Sequence, residues 1–340
     1  MAYTESTSPD EKEYTIFRDG DEKKIITKKT GEIGGTDNNK YCMRFYEDNK
    51  EKPISPWHDI PLQFGQQEGI YNFICEIPKY TKPKMEINTK KEFNPIEQDI
   101  KKGKPREYHG PIYWNYGCLP QTWENPTKID DNLNYKGDND PLDVVEIGDG
   151  AMEIGEIAPV KVLGILAMID DGEVDWKVIA IRTNATLTIG KDNIKLAEKI
   201  NDIDEVPTEV LSGIREWFRW YKTPDGKSLN KFGLNEKFRE KKYAIRIIKE
   251  TNKEYKELLD KGVEYYKDDK VTALDLRSGN QNGGMRKRRT SRRTKRKRKS
   301  LNKNKRTKRK RKSLKKNKRT KRKRKTLKKN RRTRTRTRRH

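Results

Sequence analysis

The chain has 340 residues, 39% of them charged and 31% hydrophobic, with a formal net charge of +28. Of its 80 Lys and Arg, 36 fall between Arg286 and His340, where there is no Asp or Glu, which leaves 44 basic against 52 acidic residues in 1–285, a net of −8. A mildly acidic body and a polycationic tail therefore need separate explanations, and no apolar run approaches the length of a membrane span.

Residues 1–39 read as a polar extension without the apolar core of a signal peptide. Within it "EYTIFRDG" (13–20) has the composition of a short strand and "TGEIGGTDNNK" (30–40) that of a connector. From Tyr41 to about Asn184 the pattern is mainly strands: "NFICEI" (72–77), "DVVEIG" (143–148), "KVLGILAMID" (161–170) and "DWKVIAIRT" (175–183). Pro and Gly punctuate them, and no long helix intervenes, so a small antiparallel barrel or sandwich is expected. Helices follow. In 207–222 Val210, Leu211, Ile214, Trp217, Phe218 and Tyr221 share one helical face; 236–262 repeats the pattern through Ala244, Ile248, Thr251, Tyr255 and Leu258, with Gly262 as C-cap. Order is expected to fade from about Lys267, with 266–284 as a linker. The tail, 285–340, holds three similar units of period 13 from 294 to 332, "TKRKRKSLNKNKR", "TKRKRKSLKKNKR" and "TKRKRKTLKKNRR". One leucine per unit cannot offset ordering entropy, so it reads as disordered.

Cys42, Cys75 and Cys118 are widely spaced and form no CxxC pair, which points to reduced thiols and against a zinc site or disulfide framework. With His58, His109 and His340 as the only histidines, a His-rich metal site is excluded. The densest acidic stretch is "KGDNDPLDVVEIGDG" (136–150), holding Asp138, Asp140, Asp143, Glu146 and Asp149. Read alone it is as good a turn as a cation site, since Asp, Asn, Gly and Pro are turn formers. An EF-hand fails on spacing, whereas magnesium needs only a few hard oxygen ligands. A second acidic stretch, "MIDDGEVDWKVIAI" (168–181), puts Asp170 and Asp175 on either side of a hairpin turn, with Lys177 on the face of Asp175. "CEIPKYTKPKMEI" (75–87) sets Glu76, Lys84 and Glu86 about a β-hairpin; Arg106, Tyr116, Tyr221 and Lys222 lie downstream. Singly, each reads as surface, turn or core. Together, carboxylates and cations alternating on adjacent strands suit a metal–phosphate substrate.

"KPISPWHDIPL" (52–62), "CEIPKYTKPKMEI", "NPIEQDIKKGKPR" (94–106), "NYGCLPQTWENP" (115–126), "GDNDPLDVVEIG", "DDGEVDWKVIAI" and "EWFRWYKTPDGK" (216–227) together resemble the soluble family I inorganic pyrophosphatases of eukaryotic type, from about Tyr41 to Gly262. The resemblance implies a small closed OB-like β-barrel with two packed helices, spanning residues 40–265. It also implies magnesium-dependent hydrolysis of pyrophosphate and a homodimer, while the reduced cysteines point to a cytoplasmic enzyme. By matching position, Asp138, Asp143 and Asp175 resemble ligands of the tightest metal site, Asp143 being shared with a second ion. Asp170 and Asp175 resemble ligands of a metal arriving with substrate, and Glu86 of a further one; Glu76 matches a carboxylate bonded through water. Lys84, Arg106, Lys177, Tyr221 and Lys222 match phosphate-binding groups, Tyr116 a tyrosine near the departing phosphate, and Asp140 the group that orients the attacking water. The family pattern departs at three places. The segment between Arg106 and Tyr116 is short; Ile112 stands where a second tyrosine is expected, with Tyr113 one residue beyond; and the extension and tail lie outside the pattern. The tail is expected to bind nucleic acid or another polyanion, or to direct the protein to the nucleus or a nucleic-acid-rich particle. A non-catalytic OB-like nucleic-acid-binding protein is the competing reading, opposed by the acidic body.

Overall fold

A computed structural model describes residues 11–18, 22–31, 42–47, 51–189, 193–266, 271 and 274–276. The remaining residues, including the whole polybasic tail and most of the expected linker, lie outside the described residues.

Strand β4 (Ile70–Ile77), β7 (Asn115–Cys118), β8 (Asp143–Glu146), β9 (Ile157–Asp170) and β10 (Glu173–Arg182) form the main sheet. Their pairings run β10–β8–β7–β4–β9, and β9 pairs β10 again, so the five close into a ring. The closing hairpin turns on Asp171 and Gly172, at φ 48° and 93°. Left-handed backbone at both central positions matches the right-handed twist of the flanking strands. β8 and β10 are parallel, with Asp143 opposite Lys177; every other pair in the ring is antiparallel. β-Branched and apolar residues bury both faces of β9 and β10, as a strand covered on two sides requires.

One face of the ring, with Leu166, Met168, Ile179 and Ile181, packs against α1 (Thr208–Trp220) through Ile214 and Phe218. The opposite face, with Ile165, Ala167, Val178 and Ala180, packs against α2 (Lys241–Lys261) through Ala244, Ile247 and Ile248. Helix α2 begins later than the periodicity suggests because Arg239 and Glu240 pair with Ile165 and Gly164 as a short strand. It ends at Gly262, φ 73°, whose N–H donates to the Leu258 carbonyl at 2.7 Å. Among the described residues no helix is long and apolar enough to cross a membrane.

A second sheet holds β1 (Glu11–Arg18), β2 (Glu22–Gly31), β3 (Cys42–Glu47), β5 (Met85–Ile87) and β6 (Ile96–Gln98), in the order β1-β2-β3-β6-β5. The polar extension thus contributes a hairpin, and the strand expected within 13–20 is part of it. Glu76 and Glu86 do not sit on one hairpin. β4 pairs inside the ring and β5 pairs β6, because Pro78 and Pro83, lacking N–H groups, carry the chain out of the ring between them. Beyond the expected fading point at Lys267, the described residues 271 and 274–276 include packed ones. Val271 and Leu274 are buried, and Asp275 donates its N–H to the Thr89 carbonyl at 2.7 Å. The Asp275 carbonyl lies 2.9 Å from His58 Nε2, and His58 Nδ1 lies 2.9 Å from the Tyr255 hydroxyl. Burial drives the His58 pKa down to about 4, so a neutral imidazole fills a structural slot.

Candidate active site

Strand register gathers the polar groups. Asp143 faces Cys118 across β7–β8 and Lys177 across β8–β10, so Tyr116, Asp143, Asp175 and Lys177 share one face of the ring. Lys177, 2% exposed, sends its ammonium to Asp143 Oδ2 and Asp175 Oδ1, each at 2.5 Å, and to the Tyr116 hydroxyl at 2.8 Å. Tyr116 in turn donates to Asp143 Oδ2 at 2.5 Å. Desolvation pulls the Lys177 ammonium down, but Asp143 and Asp175 outweigh it and hold the group well above the lysine range.

The "GDNDP" turn is both a turn and part of the site. Asn139 is left-handed at φ 79°, and Asp138 Oδ1 accepts the Asp140 N–H at 3.0 Å, fixing the bend. Backbone bonds dock this turn on residue 124: the Asn139 N–H donates to the Glu124 carbonyl and the Glu124 N–H to the Asp140 carbonyl, each at 2.9 Å. A Cβ on Gly137 would come within 2.5 Å of the Glu124 backbone, so only glycine permits the approach. The docking brings Glu124 to Asp138 and Asp175, with carboxylate oxygens of all three within 4.8 Å of one another. Glu124 Oε1 accepts the Trp176 N–H at 3.0 Å, while Oε2 is buried without a hydrogen-bond partner. Burial first, then the neighbouring carboxylates, pushes Glu124 and Asp138 well above the usual carboxylate range. Asp175 is pushed up to about 7, again chiefly by burial. Asp140 is also pushed up to about 7, first by desolvation in the cleft and then by Glu86, against the pull of Lys84. Glu124 was missing from the sequence reading, although "QTWENP" contained it.

Around these carboxylates stand two ion-paired edges. On one, Lys84 contacts Glu86, and Asp99 bridges Lys84 at 3.6 Å and Arg106 at 2.9 Å. Desolvation lowers Lys84, but Glu86, Tyr108 and Asp99 outweigh it and hold it above the lysine range. Asp99 orients both cations and was also missed, because nothing in its spacing separates it from surface. On the other edge Lys222 contacts both oxygens of Asp170, and the Tyr221 hydroxyl lies 3.5 Å from Asp170 Oδ2. Tyr221 and Lys222 are placed there by the end of α1, where the Tyr221 ring stacks on Trp217 at 5.2 Å. Glu76, 6% exposed, accepts the Ile87 N–H at 2.6 Å and feels Asp143, which together with burial raises its pKa well above normal.

The structure thus brings together Glu76, Lys84, Glu86, Arg106, Tyr116, Asp138, Asp140, Asp143, Asp170, Asp175, Lys177, Tyr221 and Lys222. Tyr113 is 52% exposed and makes none of these contacts; its ring meets Trp114 edge-on at 6.1 Å. Glu146 and Asp149 of the acidic stretch turn elsewhere. Glu146 binds Asn115 and Arg182, at 2.8 and 3.2 Å, and Asp149 accepts the Thr186 and Thr188 hydroxyls, each at 2.7 Å. Hard oxygen donors at this spacing, one with an unpartnered buried oxygen, fit a small divalent cation.

The sequence profile of the family described as "Pyrophosphatase: Inorganic pyrophosphatase" matches residues 73–256. The chain belongs to the inorganic pyrophosphatase family. It is 48% identical over 221 residues to soluble inorganic pyrophosphatase 6, chloroplastic, of Arabidopsis thaliana, covering 65% of this chain and 71% of that one. To the inorganic pyrophosphatase of Candida glabrata it is 45% identical over 239 residues, 68% of this chain and 79% of that one. The structure of inorganic pyrophosphatase from Schistosoma japonicum superposes with TM-score 0.61 at 42% identity, covering 67% of this chain and 80% of that one. Family metal dependence agrees with the acidic cluster; the sequence-based reading of family and fold stands.

Proposed function

We propose that this inorganic pyrophosphatase hydrolyses pyrophosphate to two phosphates with magnesium bound by Asp138, Asp143 and Asp175, joined by Glu124, and with Asp170 and Glu86 holding further ions that arrive with substrate. The observation that carries the reading is the convergence of Glu124, Asp138 and Asp175 within 4.8 Å beside Lys177. When bound, divalent ions neutralise carboxylate and phosphate charge and make water acidic enough to attack near neutral pH. Asp140, held at the cleft mouth by its turn, accepts a hydrogen bond from the attacking water and orients it. Lys84, Arg106, Tyr221 and Lys222 hold phosphate oxygens. Asp99 keeps Lys84 and Arg106 together for that task. Tyr116 and Lys177, bonded to each other, stabilise the departing phosphate, and Glu76 would meet the bound ions through water. No protein nucleophile is required. Phosphate release from pyrophosphate with and without magnesium, beside ATP, tests the proposal: release confined to ATP, or unaffected by magnesium, would overturn it.

The resemblance supports a homodimer, and three buried free cysteines support a reducing, cytosol-like setting. For the tail we keep to its charge. Residues 286–340, with 36 cations, engage nucleic acid or another polyanion without sequence preference. Truncation after Gly284 then leaves hydrolysis within about two-fold and abolishes duplex binding, since exposed charge contacts are screened by salt. With about 6–10 phosphates engaged, full-length affinity falls about 10³–10⁵-fold between 50 and 200 mM salt; a shallow dependence contradicts this.

A further inference from the structure

Tyr108 belongs to no residue set assigned so far. It lies in the short segment between Arg106 and Tyr116. There residues 106–108 run antiparallel to 82–84, with Pro83 opposite Glu107. The Lys84 N–H donates to the Arg106 carbonyl at 3.0 Å and the Tyr108 N–H to the Lys82 carbonyl at 2.8 Å. In this extended pairing Arg106 and Tyr108 flank Glu107 and project from the same face.

The ring is fixed from the other side by α1. Tyr108 meets Trp217 edge-on at 5.0 Å and Tyr221 edge-on at 5.8 Å. Trp217 and Tyr221 are themselves stacked, so three aromatic rings form one rigid block. Tyr108 is only 7% exposed. Its hydroxyl nevertheless has no hydrogen-bond partner among the described residues, while it stands within electrostatic reach of Lys84, Lys177, Arg106 and Asp143. Burial first, against the pull of Lys84 and Lys177, raises the phenol to about 12, so it stays protonated and remains a donor.

The body of Tyr108 is buried while its hydroxyl oxygen is not closed off from solvent, so the hydroxyl is free to meet a ligand instead of an internal partner. Here the surroundings are two lysines, an arginine and a carboxylate read as a metal ligand, which together define where an anionic phosphoryl group sits. We propose that Tyr108 is a substrate-binding residue of this enzyme, donating its hydroxyl hydrogen bond to a phosphate oxygen of pyrophosphate between Lys84 and Lys177. This chain has Ile112 and Tyr113 where the family resemblance calls for a second tyrosine near Tyr116. Ile112 is fully buried and apolar, and Tyr113 points to solvent, so a segment too short to bring either into the cleft brings Tyr108 there instead.

The inference rests on the pyrophosphatase reading, and the test separates the two. Steady-state phosphate release is measured with magnesium and pyrophosphate for the wild type, Tyr108→Phe and Tyr113→Phe, beside each protein's melting temperature. Absence of wild-type activity overturns the pyrophosphatase reading and this inference with it. With an active wild type, Tyr108→Phe is expected to lower kcat/KM about ten-fold or more, the usual worth of a hydrogen bond to a charged group. Its melting temperature should stay unchanged, since the ring and its packing remain, and inhibition by inorganic phosphate should weaken in parallel. Tyr113→Phe should match the wild type. A Tyr108→Phe enzyme with wild-type kcat/KM and phosphate inhibition overturns the inference, as does a kinetic loss that appears only with a lowered melting temperature and leaves phosphate inhibition intact.

Discussion

Replacing Glu124 by Gln should have opposite effects on the metal-free protein and on metal binding. The substitution keeps the shape and leaves Oε1 able to accept the Trp176 N–H, so the buried backbone bond survives. What it removes is one negative charge from three carboxylates whose oxygens lie within 4.8 Å. At that distance, with an effective dielectric constant of about 20, two full charges repel by about 3 kcal/mol. The acids respond by holding protons, as the raised Glu124, Asp138 and Asp175 show, so only part of that repulsion is present to be relieved. A gain of about 1–2 kcal/mol in metal-free stability is expected, or about 3–6 °C in melting temperature for a domain of this size. Magnesium affinity should fall by at least the 10–100-fold typical of removing a group that supports a metal. The assay is differential scanning calorimetry in chelator, paired with magnesium titration calorimetry. If Glu124 were only a structural acceptor, the variant would be neutral or less stable in chelator and would bind magnesium as the wild type does. Either result refutes the assignment.

Asp143→Asn should damage turnover at saturating magnesium more than Asp138→Asn, because Asp143, unlike Asp138, contacts Lys177 and Tyr116 and is assigned to two ions; equal losses in phosphate release would contradict this. Asp140→Asn should depress kcat while leaving magnesium affinity by calorimetry nearly unchanged, and a large loss of binding would make it a ligand. In chelator, melting temperature should rise as pH falls from about 8 toward 6. Asp175, at about 7 when folded, binds its proton more tightly than an unfolded carboxylate near 4, so stability is lost as pH rises through 7. Saturating magnesium should flatten that slope, and a melting temperature that climbs with pH in chelator would refute it.

What the sequence disclosed and what it hid divide along the distance over which a residue is positioned. The ring strands were legible because alternation, β-branching and turn residues act within a few positions, and Asp171-Gly172 could be recognised as a hairpin turn for the same reason. The burial of Val271, Leu274 and Asp275 was not legible. "KDDKVTALDLR" is rich in charged residues of both signs, and what places Val271, Leu274 and Asp275 is their contact with distant parts of the chain. The same distinction runs through the site. Asp138, Asp140 and Asp143 stand out as a compact motif, whereas Glu124, Asp99 and Tyr108 look ordinary until the backbone brings them in. Glu124 arrives by the pairing of 124 with 139–140 over Gly137, and Tyr108 by the pairing of 106–108 with 82–84.

That division also explains why the ring must close for the site to exist. Asp143 and Lys177 are 34 residues apart and meet only because β8 and β10 run parallel. A one-residue slip in this pairing would turn Lys177 and Asp175 to the face covered by α2 and leave Asp143 on the other. Such a slip is opposed by the apolar residues on either side of the pair: Val144, Val178 and Ala180 pack toward α2, and Val145 and Ile179 toward α1. Burying valines and isoleucines on both faces at about 25 cal/mol per Å² makes the register costly to change. The carboxylates cannot fix it themselves, since they repel one another. The hydrophobic pattern therefore sets the register, and the register assembles the charged site.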